Sequence, residues 1–174
     1  MIYILLLLVY IGWHLVKQPF RLWPLSLPAA SLVALALCLA NGMADHFFAP
    51  SGIIATPWVL VTVAALIHNA RNARHALAGV VITTALCCLN DAGIKLYGGG
   101  MHDLEGQGFI TLTLGVGLLA AYIFVALYLI RSAAMSNRAK LAAAVIMPLI
   151  IAGYLYFFGN LGLGRFYESH ILTF

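Results

Sequence analysis

The chain has 174 residues, of which 64% are hydrophobic and only 8% are charged. That composition excludes an ordinary soluble domain, and a formal net charge of +4 with no basic run argues against nucleic acid as a partner. Backbone groups in lipid must find their hydrogen bonds within each spanning segment, which favours helices. We therefore expect an all-α, polytopic integral membrane protein with one transmembrane domain, residues 1–174.

Six apolar segments, each bounded by charged residues, Pro or Gly clusters, predict a six-helix transmembrane bundle. They cover residues 2–16, 23–43, 53–68, 76–97, 108–130 and 141–164. The first and third are short, but flanking side chains that extend to the interface allow a short helix to span. The first segment has basic residues after it rather than before it, which is the reverse of a secretory signal, so we expect a retained helix.

The basic residues indicate the topology. Seven of the nine lie in the loops between segments one and two, three and four, and five and six: Lys17, Arg21, Arg71, Arg74, Arg131, Arg138 and Lys140. By the positive-inside rule these loops are cytoplasmic. The sequence therefore predicts a multi-pass protein of the inner (plasma) membrane with both termini extracytoplasmic, and the five acidic residues then all fall in or near the outer face.

Asp91 and Lys95 are the strongest pointer to a functional site. They are spaced i, i+4 near the end of the fourth segment, with the acid on the amino-terminal side, so we expect them to pair on one helix face. Either charge alone inside a membrane would cost several kcal/mol, so a partner or a wet cavity is expected. An internal ion pair that only fixes helix packing is the alternative.

The loop that follows, GGGMHDLEGQG, places an imidazole and two carboxylates between glycines. These groups exchange protons near neutral pH and bind divalent metals. The predicted catalytic residues are Asp91, His102, Asp103 and Glu105.

Two more outer segments pair an acid with a histidine: Asp45 with His46, and Glu168 with His170. If the bundle brings the histidines together, they would form a site for a divalent metal such as zinc. The predicted ligands are His46, His102, His170 and Asp45. A solvated outer rim that binds no metal is the alternative.

Cations and amides near the outer face predict a place for a polar substrate group. Lys95 and Arg165 could receive the phosphate of a lipid-linked substrate, although anchoring to bulk headgroups is the alternative for Arg165. The predicted substrate-binding residues are Lys95, Asn90, Asn160 and Arg165. Elsewhere, His14 and His68 are expected to be solvated at the inner interface, and Tyr154 is assigned to the aromatic belt.

Three functional classes remain open. The leading hypothesis is a membrane-embedded enzyme that acts by acid–base or metal chemistry on a lipidic or periplasmic substrate. The second is a non-catalytic membrane subunit, binding or immunity protein, and the third is a proton-coupled transporter component. Membrane lipids are the expected partners, together with a second copy of the chain or another membrane protein.

Overall fold

The fold is all-helical in the part of the chain that a computed structural model describes, which comprises residues 2–17, 25–70, 76–97, 104–132, 135–159 and 161. No strand occurs in these ranges. The six helices are α1 (Ile2–Lys17), α2 (Leu27–Phe47), α3 (Ser51–His68), α4 (Ala76–Tyr97), α5 (Leu104–Arg131) and α6 (Asn137–Phe158).

Five of these helices, α2 to α6, are long and apolar enough to cross a membrane. Helix α1 has only 16 residues, although it is also apolar. Large apolar side chains cover the outside of the bundle; for example, Leu149 of α6 is 64% exposed. Such a surface is stable in hydrocarbon and costly in water. The prediction of an all-helical fold is confirmed for the described residues, and five helices of this length and apolarity agree with a multi-pass membrane protein.

Successive helices alternate in direction, as their side-chain contacts establish. Tyr10 of α1 hydrogen-bonds Thr62 of α3, and Tyr3 donates to the carbonyl of Ile54, so α1 and α3 are parallel. Equivalent pairs of contacts show that α2 is parallel to α4 and that α4 is parallel to α6. Helix α1 therefore begins, and α6 ends, at one end of the bundle, which we call the termini end.

Helix α3 lies at the centre of the bundle and contacts α1, α2, α4 and α5. Its side chains are buried along most of its length, including Leu60, Val61 and Ile67. Helix α6 is peripheral and packs mainly on α4. Polar side chains on α3 and α4 are consequently enclosed by protein on several sides.

Helix boundaries differ from the predicted segments where a side chain accepts a hydrogen bond from an unpaired backbone N–H at a helix start. Helix α2 begins after Ser26, whose hydroxyl accepts from Ala29 N, and α6 begins after Ser136, whose hydroxyl accepts from Ala139 N. Helix α2 also continues past residue 43 to Phe47, and α5 already begins at Leu104. The starts of α2 and α6 are therefore set by capping rather than by hydropathy alone.

Candidate functional site

The predicted pairing of Asp91 with Lys95 is confirmed. Lys95 Nζ lies 2.9 Å from Asp91 Oδ2, and each side chain is only 1% exposed. The i, i+4 spacing on α4 places both groups on one face of the helix. The pair carries no net charge, which reduces the cost of enclosing two ions in protein.

Helix α6 supplies further partners to this pair. The hydroxyl of Tyr154 donates a 2.7 Å hydrogen bond to Asp91 Oδ2, and Lys95 Nζ donates a 3.0 Å bond to the carbonyl of Gly159. Asp91 Oδ1 is also buried and has no hydrogen-bond partner among the described residues. One carboxylate oxygen is thus held by two donors while the other stays available to a further donor.

A network of neutral polar groups lies beside the ion pair. Asn41 of α2 donates to Asn90 Oδ1 at 3.0 Å and lies 3.3 Å from Thr56 Oγ1 on α3. The hydroxyl of Thr56 in turn donates to the carbonyl of Gly52. Because Asn90 directly precedes Asp91, this network and the ion pair form one buried polar layer across α2, α3, α4 and α6, near the termini end.

Asp45 performs a structural task in this layer. It lies within α2 rather than in a loop, is fully buried, and its Oδ1 accepts a 3.1 Å hydrogen bond from Ile53 N in the first turn of α3. A carboxylate at a helix N-terminus satisfies an otherwise unpaired N–H and interacts favourably with the helix dipole. Its second oxygen, Oδ2, has no hydrogen-bond partner among the described residues.

His46 points away from Asp45 despite following it in sequence. Its side chain is exposed, and its Nδ1 lies 2.7 Å from the carbonyl oxygen of Tyr97 at the end of α4. The two residues therefore occupy different sides of α2, one in the bundle and one on its surface. Their shared place at the termini end agrees with the predicted rim.

Several predicted site residues lie outside the described residues: His102, Asp103, Asn160, Arg165 and His170. Glu105 falls in α5, one residue after its start, and only its backbone is described. Among the described residues no group of three or more His, Cys, Asp or Glu side chains could hold a metal ion. The zinc site stays a prediction, because two of its four proposed ligands are not described.

The expectation for His14 and His68 was wrong. Both are buried, at 4% and 2% exposure, instead of being solvated at an interface. His14 packs edge-on against Tyr10, and His68 packs against Tyr128 of α5. A residue near a helix end can still be covered when neighbouring helices extend past it, which one segment's sequence does not reveal.

Sequence reasoning missed three members of the polar layer: Asn41, Thr56 and Tyr154. Tyr154 was assigned to the aromatic belt, yet its hydroxyl contacts the buried carboxylate from within α6. The sequence could have predicted interhelical hydrogen bonds for Asn41 and Thr56, because an amide or hydroxyl inside a membrane helix often bonds to a neighbouring helix. That Asn41 and Thr56 meet in one hydrogen-bond network depends on how α2, α3 and α4 pack.

No protein family model, curated protein or solved structure matches this chain. The geometry of the polar layer is therefore the basis for a functional proposal. Chemically, the layer joins a carboxylate, an ammonium and a phenol within hydrogen-bond distance, an arrangement able to hold and transfer a proton.

Proposed function

We propose that this chain is a small membrane-embedded enzyme that performs acid–base chemistry on a lipidic substrate at the termini end of the bundle. Asp91 exchanges the proton with the substrate. Lys95 acts as its electrostatic partner, and Tyr154 orients the carboxylate. The triad formed by the buried Asp91–Lys95 pair and the half-buried Tyr154 is the observation that carries this proposal.

Energetics favour a functional origin for the triad. An ion pair buried in protein is often no more stabilising than well-packed apolar side chains of the same size, so stability alone is a weak reason to keep one. Ionisable groups within membrane helices commonly mark substrate or proton pathways. Asp91 Oδ1, which has no hydrogen-bond partner among the described residues, adds an acceptor that packing does not require.

The position of the triad favours a substrate that enters from the termini end. Lys95 precedes the end of α4 by two residues and is bonded to Gly159, immediately after α6. The other predicted catalytic residues, His102, Asp103 and Glu105, follow α4 in the sequence. A lipidic substrate fits this depth because its polar group lies near the ends of spanning helices while its chains lie beside them.

Activity on extracted membrane lipids tests the proposal. The purified full chain, Asp91→Asn and the double variant Asp91→Leu/Lys95→Met would each be incubated with a total membrane lipid extract and followed by mass spectrometry. We expect the wild type to convert a lipid species, and both variants to lose that conversion. The double variant removes both charges together, so it should remain folded.

Tyr156→Phe is the matched control, because Tyr156 lies on α6 but is 84% exposed and away from the triad. It should convert the same lipid at the wild-type rate. Equal conversion by folded Asp91→Asn, or unchanged lipids with every protein, would refute an acid–base role for Asp91.

A role in proton-coupled transport is a second candidate, favoured by one observation. The carboxylates of Asp91 and Asp45 each have a buried oxygen without a partner among the described residues, and Asn41, Thr56 and Asn90 lie in the same layer. If protons pass through this layer, vesicles containing the wild type should dissipate a pH gradient faster than vesicles containing Asp91→Asn. Equal rates would remove this candidate.

We also propose that all six helices span the inner membrane, with the termini end extracytoplasmic. Lys17, Arg131, Arg138 and Lys140 support this arrangement, because they lie in helix-end regions opposite the termini end and cytoplasmic loops are enriched in Lys and Arg. Reporter enzymes that work only in the periplasm should be active when fused after residue 174. Activity of a cytoplasm-specific reporter at that position would reverse the orientation.

A further inference from the structure

An apolar groove runs between α2 and α4 on the outside of the bundle, on the side of α4 that faces away from Tyr154. Its volume is ≈ 450 Å³, within the range of about 300–1,000 Å³ that is typical of small-molecule sites. Its walls include Cys38, Gly42 and Met43 from α2 and Leu89, Gly93 and Leu96 from α4.

Small residues create this groove. A Cβ atom built on Gly42 would lie 3.9 Å from the backbone of Gly93, so the two helices pass close to each other there. A Cβ atom on Gly93 would meet nothing within 4 Å, so the space beside it is open. Larger neighbours, including Met43 and Leu96, are exposed on either side of this depression and form its rims.

The groove matches one membrane leaflet in length. It follows α2 from Cys38 to Phe47 and α4 from Leu89 to Tyr97, which at 1.5 Å per residue is about 12–14 Å. Half of a hydrocarbon core of about 30 Å is about 15 Å. The groove therefore extends from the helix ends at one interface nearly to the middle of the bilayer.

The groove is apolar at one end and polar at the other, as is a phospholipid with its acyl chain and headgroup. The end near mid-membrane is apolar, whereas the interfacial end is bounded by His46 and Tyr97. His46 Nδ1 lies 2.7 Å from the Tyr97 carbonyl oxygen, so Nδ1 carries the proton and donates it. Nε2 is then the ring position at which the imidazole can meet a lipid headgroup.

From this length and polarity we infer that the groove between α2 and α4 is a binding site for a single acyl chain of a membrane phospholipid, whose headgroup lies beside His46. A lipid chain gains no hydrophobic free energy by leaving bulk lipid, so retention depends on packing. The concave wall at Gly42 and Gly93 supplies contacts on more sides than a flat helix surface.

The shape of the groove favours an acyl chain over a partner helix. An α-helix with its side chains is about 10–12 Å wide. Helices α2 and α4 approach so closely that a Cβ atom on Gly42 would lie 3.9 Å from the Gly93 backbone. A slender chain can enter the depression between them, whereas a helix could insert only individual side chains.

This site is independent of the proposed enzyme activity. The groove and the ion pair lie on different faces of α4, because Ala92, Gly93 and Leu96 line the groove while Asp91 and Lys95 contact α6. The groove can retain a lipid even if Asp91 performs no chemistry.

Photo-crosslinking tests the site. The full chain would be reconstituted in vesicles of phosphatidylcholine with a trace of phosphatidylcholine that carries a diazirine in one acyl chain, then irradiated, digested and mapped by mass spectrometry. We expect labelling at Met43, Leu89 and Leu96 to exceed labelling at Leu149 and Tyr156 several-fold, although those two α6 residues are more exposed than Leu89.

Gly93→Leu should remove most of the groove labelling by filling the open space, and Gly42→Leu provides a second blocker from the opposite wall if the first does not fold. Gly115→Leu is the matched control, since a Cβ on Gly115 of α5 also meets nothing within 4 Å and this residue does not line the groove. It should leave groove labelling unchanged.

Two results would overturn the inference. The first is equal labelling of the groove and of α6, or groove labelling that persists in a folded blocker, because the lipid would then be bulk lipid. The second is efficient disulfide formation between copies that carry Met43→Cys, which would assign the groove to a second copy of the chain.

Discussion

Tyr154 of α6 donates a 2.7 Å hydrogen bond to Asp91 of α4, across the interface that joins the peripheral helix to the bundle. The accepting oxygen is also the one that pairs with Lys95. Because α6 packs mainly on α4, this contact contributes both to the geometry of the carboxylate and to the docking of the helix.

Tyr154→Phe should lower the free energy of unfolding by about 0.5–2 kcal/mol, since it removes an interhelical hydrogen bond to a charged group. Unfolding in mixed micelles by a titration with dodecyl sulfate would measure this change. Tyr156→Phe removes the same hydroxyl from an exposed position on the same helix and should change stability by less than about 0.5 kcal/mol. Equal effects of the two variants would contradict the described contact.

The ion pair predicts a strongly non-additive double-mutant cycle. Lys95→Met or Asp91→Leu alone leaves one buried charge unpaired, and each should cost about 3–5 kcal/mol. The double variant removes both charges and should be near the wild type in stability, because apolar side chains of similar volume replace buried ion pairs well. The same titration would measure all four proteins, and additive losses would show that the charges do not interact.

Asp45 should stabilise the start of α3 through its bond to Ile53 N. Asp45→Ala removes the acceptor and should cost about 0.5–2 kcal/mol, as for other helix caps, whereas Asp45→Asn keeps an acceptor oxygen and should cost less. Thermal unfolding in detergent, followed by circular dichroism, would compare them. Equal losses for Asn and Ala would contradict the capping role, because both variants lack the charge and only Asn keeps an acceptor oxygen.

The sequence predicted those features that depend on local pattern. Hydropathy located the six helices of the described residues, and the i, i+4 spacing identified the pair of Asp91 and Lys95. The order of charged residues along the sequence also placed acids and histidines near one end of the bundle, where Asp45 and His46 lie. These properties follow from the period of the helix and from the cost of charge in lipid.

Features that depend on which helices meet were not predictable in the same way. Tyr154 reaches Asp91 only because α6 lies beside α4 and parallel to it. Asp45 accepts from Ile53 N only because the first turn of α3 lies beside it. The burial of His68 likewise depends on α4 and α5, which pack over the end of α3. The local sequence around a residue does not indicate which distant residues it will contact in the folded bundle.

Gly52 provides the sharpest test of how α2 and α3 pack around the polar layer. A Cβ atom built there would lie 2.5 Å from both Asn41 O and Asp45 Cβ, so backbone would have to move. Gly52→Ala should therefore cost about 1–3 kcal/mol by overpacking, and it should weaken the Asp45 cap. Gly115→Ala, with nothing within 4 Å of its Cβ, should be neutral or slightly stabilising. Dodecyl sulfate titration of both variants would measure the difference, and a Gly52→Ala protein as stable as Gly115→Ala would mean that α2 and α3 do not approach this closely.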